Sequence, residues 1–103
     1  MITREMRQTI CQQIGMGNIL SISGGKVIPT ETGIALPVSN GYTVHVEYDE
    51  GWDDYIVSRV FKRGDKEFIK GRIDHVYCDQ LSELAYRAGM FRSWDENEWM
   101  VVP

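Results

Sequence analysis

The chain has 103 residues, 43% apolar and 25% charged, with a formal charge of −4; this supports one globular domain able to bury roughly two-thirds of its unfolded surface without staples. No apolar run approaches the roughly 20 residues of a membrane-spanning helix. The net charge argues against generic, charge-driven nucleic-acid binding, but it is unevenly spread: six of the eleven basic residues fall between Arg59 and Arg72, while acids collect in 47–54 and 95–98.

The polar start, Met1-Ile2-Thr3-Arg4-Glu5, has no apolar h-region, so no signal peptide is expected. Residues 3–14 read as a helix with Thr3 as N-cap and Met6, Ile10 and Ile14 as one narrow apolar stripe. Gly15 supplies a stop and Gly17 a flexible joint. With so little apolar surface, this arm (1–17) is a clip onto the domain, a dimer contact or a loosely held segment. Cys11 and Cys78 are far apart; a reduced, cytoplasmic chain is expected, with a disulfide as the alternative.

A β-rich body is expected over 18–76. Ile19-Leu20-Ser21-Ile22-Ser23 and Lys26-Val27-Ile28-Pro29 flank Gly24-Gly25, which predicts a two-residue hairpin with a short or edge second strand. The glycine turn lacks the spacing of a phosphate-binding loop. Next come 34–38 and 42–48 around Ser39-Asn40-Gly41. Tyr42, Val44, Val46 and Tyr48 alternate cleanly with Thr43, His45 and Glu47. Asn-Gly favours a type I′ turn, but one buried face should outweigh the local signal. That preference predicts a three-residue loop with Val38 against Val44, Leu36 against Val46 and Ile34 against Tyr48.

The stretch 55–73 is the centre of the chain. Tyr55–Arg63 and Lys66–Ile73 flank Gly64-Asp65, and glycine at the first central position suits a type II′ turn. A two-residue loop sets Ile56 against Ile73, Ser58 against Gly71, Val60 against Ile69 and Lys62 against Glu67, an apolar face for burial. The other face carries Val57, Arg59, Phe61 and Arg63 against Arg72, Lys70, Phe68 and Lys66, cationic around an aromatic pair. Keeping Val44 and Val46 on the side of Val60 and Ile56 requires an odd connection or a bulge after residue 48. Without one, Tyr55, Val57 and Phe61 face the core with Arg59 among them. Both remain open at the level of sequence.

A second helix is expected from about Cys78 to Ala88, with Leu81, Leu84, Ala85 and Ala88 on one face, extended by Val76, Met90 and Phe91, and Gly89 as its stop. Asp79, Glu83 and Arg87 suit its dipole. The tail, 94–103, reads as an edge strand or disorder. Together these elements predict an α+β fold: a mainly antiparallel sheet of about five or six strands packed on the C-terminal helix, with the N-terminal helix at an edge.

Four pieces, Ile19-Leu20-Ser21-Ile22-Ser23-Gly24-Gly25-Lys26, Leu36-Pro37-Val38, Val60-Phe61-Lys62-Arg63-Gly64 and Val76-Tyr77-Cys78-Asp79, resemble small accessory proteins of unassigned function encoded by bacteriophages and prophages. The likeness covers about residues 8–93 and transfers no functional residue. It implies a mobile-element origin, a bacterial cytoplasm as the place of action, and activity by binding: inhibiting a host enzyme, blocking a defence system or sequestering a small signal.

The basic hairpin face, with Arg59, Phe61, Arg63, Lys66, Phe68, Lys70 and Arg72, is the first expected contact surface. Cations around rings can hold phosphates while an aromatic takes a flat group, which fits a nucleotide-like anion or an acidic host protein. The plain alternative is a solvated strand pair whose charges discourage edge pairing. Trp52, Trp94 and Trp99 form the second, as anchors for a protein partner or as caps on the core. Cys78 with His75 or His45 is the enzyme alternative; a phage structural protein is another. No cofactor motif or paired metal-ligand spacing occurs, and 49–54 lacks the ligand spacing of a calcium loop. A homo-oligomer is a further expectation.

Overall fold

The computed structural model describes residues 2–90. These form three helices and five strands: α1 (Arg4–Ile14), α2 (Met16–Ser23), β1 (Ile28–Pro29), β2 (Gly33–Pro37), β3 (Tyr42–Asp49), β4 (Asp54–Arg63), β5 (Lys66–Val76) and α3 (Leu81–Met90). The strands make one antiparallel sheet in the order β1-β2-β3-β4-β5. The helices cover one face of it, so the α+β expectation holds. No helix among the described residues is long and apolar enough to cross a membrane.

α1 starts as the sequence indicates, with Thr3 Oγ1 accepting from the Met6 amide at 3.2 Å. Ile10 and Ile14 are fully buried. Its apolar stripe is therefore spent inside the domain, which makes α1 a clip and removes that stripe as a dimer contact. Arg7 reinforces the clip by donating to the carbonyls of Gly33, at 3.2 Å, and Thr30.

The segment expected to open a hairpin at Gly24-Gly25 is instead helix α2. Ile19 and Ile22 are three apart and both buried. On a strand they would point to opposite faces; on a helix they share one. Gly24 still takes a left-handed conformation (φ 67°), but as the helix cap, its amide donating to Leu20 O at 2.9 Å. Gly17, expected as a joint, lies within the helix. Gly89, expected as a stop, lies inside α3, where an added Cβ would sit 2.9 Å from the Ile22 side chain, so α2 and α3 pack closely there. Leu81, Ala85 and Ala88 are the buried face of α3, and Val76 reaches the core from β5. Cys78 lies in the turn before this helix, and Phe91 and the expected tail strand lie outside the described residues.

Between β2 and β3, Leu36 pairs with Val44 and Ile34 with Val46. The expected faces are kept, but the register is two residues tighter. The Asn-Gly signal is honoured as well: Asn40 (φ 63°) and Gly41 (φ 84°) both have positive φ. The next connection decides the rest. Asp49 pairs with Asp54, leaving an even loop of residues 50–53. Val46 therefore meets Val57, and Val44 meets Arg59. Tyr55, Val57, Arg59 and Phe61 lie on the helix side, and Ile56, Ser58 and Val60 on the other.

At its tip the β4–β5 hairpin pairs as expected, Lys62 with Glu67, Phe61 with Phe68 and Val60 with Ile69. Below that the register shifts, and Arg59 pairs with Gly71, Ser58 with Arg72 and Val57 with Ile73. Lys70 is the extra residue of a bulge, which brings Ile73 to the helix side. A second shift lets Val76 pair with Tyr55. The expected pairs Ile56–Ile73 and Ser58–Gly71 are thereby overturned.

Candidate functional site

The even β3–β4 loop carries the cationic face to the helix side of the sheet and draws its innermost member inside. Arg59 is only 7% exposed. Its guanidinium carbon lies 4.2 Å from the centre of the Tyr42 ring, within cation–π range. Arg59 and Tyr42 line a cleft of about 250 Å³, closed by Ser21 and Ile22 of α2, Val38 and Ser39 of the β2–β3 connection, and Gly89.

From Tyr42 the surface continues outward. Its ring is 5.0 Å from that of Phe61, tilted by 51°. Phe61 is half-buried and faces Phe68 across the strand pair. Phe68 is 43% exposed, and Lys70 Nζ lies 5.8 Å from its ring centre. Arg63 and Lys66 are exposed at the tip. Arg59, Tyr42, Phe61, Phe68 and Lys70 thus form a run from a buried cation, over aromatic rings, to an exposed cation.

Six of the seven expected hairpin residues fall along or beside this run. The exception is Arg72, which the Lys70 bulge moves to the opposite face. There its Nε donates to Asp74 Oδ1 at 2.7 Å, and this bond raises its pKa further. Tyr42 and the cleft were missed from sequence. Tyr42 was read only as a member of an alternating strand, and its partnership with Arg59 depends on the length of the loop after β3.

Trp52, 71% exposed, stands at the other end of the sheet in the 50–53 turn. Asp49 Oδ1 shapes that turn by accepting from the amides of Gly51 (3.0 Å) and Trp52 (3.4 Å). The Trp52 ring lies 4.7 Å from that of His75, which has a positive φ of 57°. His75 Nδ1 is 2.9 Å from Oδ2 of Asp54, a residue only 3% exposed. A carboxylate only accepts, so Nδ1 carries the proton. This ring is held as a structural bridge between β4 and β5. Trp94 and Trp99 lie outside the described residues.

Cys78 is exposed and Cys11 half-buried, and neither forms a disulfide. Burial pushes the Cys11 thiol pKa up. Among the described residues no group of three His, Cys, Asp or Glu side chains is placed to hold a metal ion. The chain matches no protein-family model, no curated protein and no solved structure.

Proposed function

We propose that this is a non-catalytic binding protein of the phage-accessory kind, which takes an anionic, nucleotide-like group on the helix-side face of the β4–β5 hairpin. The observation that carries this reading is the run from Arg59 over Tyr42 and Phe61 to Phe68 and Lys70, opening beside a cleft of about 250 Å³. Phosphate oxygens suit the cations at either end, and a flat base suits the half-exposed rings between them. Low dielectric around a buried guanidinium strengthens its attraction for an anion relative to a solvated lysine. Sequestering such a ligand, or docking an acidic host surface, would let the protein antagonise a host factor.

The test is an NMR titration with inorganic triphosphate, ATP and a cyclic dinucleotide. Amide signals of residues 59–70 and the Tyr42 ring should move, and the response should fade as salt is raised. A variant carrying both K66E and K70E, changed only at exposed positions, should lose the response and keep its melting temperature. Unmoved hairpin signals with all three ligands would sink the reading.

A further inference from the structure

All three helices lie on one side of the sheet, and on its other side a groove of about 290 Å³ runs along β4. Open faces of antiparallel sheets are ordinarily polar. This one has Val60 in its floor and Ile69, 62% exposed, on its rim. We propose that this face is the interface of a homodimer, in which two copies stack sheet on sheet about a two-fold axis running along β4.

What selects a second copy is that the groove complements itself. Three cross-strand rows cross it, and the register fixes them: Thr43–Val60–Ile69, His45–Ser58–Arg72 and Glu47–Ile56. Its β3 side is small and anionic, through Thr43 and Glu47. Its β5 side is bulky and cationic, through Ile69 and Arg72. A two-fold axis along β4 lays β5 of each copy over β3 of the other. Ile69 then stands over the short Thr43, and Arg72 over His45 beside Glu47. Every contact occurs twice, as an isologous interface demands. Arg72 already bonds Asp74 through Nε, so its outer nitrogens are the ones directed across the interface.

Size sets the expected strength. Five strands about 4.8 Å apart give a face roughly 20 Å wide and, over strands of this length, roughly 20 Å long. Specific interfaces bury about 800 Å² per partner. The face is at the small end of that class, so association should depend visibly on concentration. It lies on the side of the sheet away from the Arg59 cleft, so it stands or falls independently of the proposed ligand.

The test is sedimentation velocity on the full chain over a dilution series, with R72E and E47R variants. The wild-type protein should dimerise. Each variant alone sets like charges against each other twice and should dimerise at least about tenfold more weakly. An equimolar mixture of the two variants restores both opposite-charge contacts and should regain the dimer. Circular dichroism should show both variants folded, because neither residue is in the core. A wild-type monomer at every concentration, variants that dimerise like wild type, or a mixture that stays monomeric would each overturn the proposal.

Discussion

The two sides of β4 differ by one residue in phase and by everything in environment. Tyr55, Val57 and Arg59 lie beneath the helices, while Ile56, Ser58 and Val60 floor an open groove. Either set offers aliphatic residues at alternate positions, so the hydrophobic pattern does not choose between them. The choice is made elsewhere, by an even number of residues between Asp49 and Asp54. A strand with two usable faces takes its orientation from its connections, and the leftover apolar face then becomes surface.

Leu36→Ala should break the covered side. Leu36 is fully buried on that side, and truncating it should cost about 2–5 kcal/mol in urea unfolding. Ile28→Ala, at the exposed β1 edge of the open side, should cost less than about 1 kcal/mol in the same experiment. Comparable losses at both positions would mean that the open side is covered in solution more extensively than a small dimer allows. Next in size comes Arg59→Ala, which removes packing on Tyr42 and should cost about 1–3 kcal/mol while abolishing the NMR response to triphosphate. Full stability together with an undiminished response would detach Arg59 from both roles.

Legibility followed the range of the interactions. The Thr3 cap, the Asn40-Gly41 turn and the hairpin tip through Val60–Ile69 are settled by neighbours in sequence, and the residues announce them. The helix α2 was hidden because a glycine of positive φ ends a helix as readily as it turns a hairpin. The i, i+3 spacing of Ile19 and Ile22 was the signal that separated them. Of the candidate site, the cations and the phenylalanines could be read from the alternation of β4 and β5. The inward turn of Arg59 and the loss of Arg72 to the far face could not. They hang on the β3–β4 loop and on the bulge at Lys70, for which the strand-interior Gly71 is a faint marker.

A smaller effect separates the cysteines of the covered layer and the surface. Cys11, half-buried with its pKa raised by burial, should react with iodoacetamide at least about tenfold more slowly at neutral pH than exposed Cys78, as read by peptide mass spectrometry. Equal labelling would mean that α1 detaches from the core in solution.

The smallest effect lies at the end of the helix-side face, where Tyr48 and Tyr55 sit edge to face with ring centres 5.9 Å apart. Both phenols are pushed up, for different reasons. Burial is the main cause for Tyr55. For Tyr48 it is the hydrogen bond donated to Asp53 Oδ1 at 2.5 Å, which raises its pKa to about 12 from the usual 10. The folded chain therefore holds this proton more tightly than the unfolded chain does. The resulting stabilisation is complete below pH about 10 and is lost as the pH rises from about 10 through 12. Tyr48→Phe should leave the unfolding midpoint at pH 7 nearly unchanged and flatten the fall in stability across that alkaline window. A wild-type profile already flat there would mean that the bond to Asp53 does not persist in solution, and that the 50–53 turn which sets the parity of β4 is held by Asp49 alone.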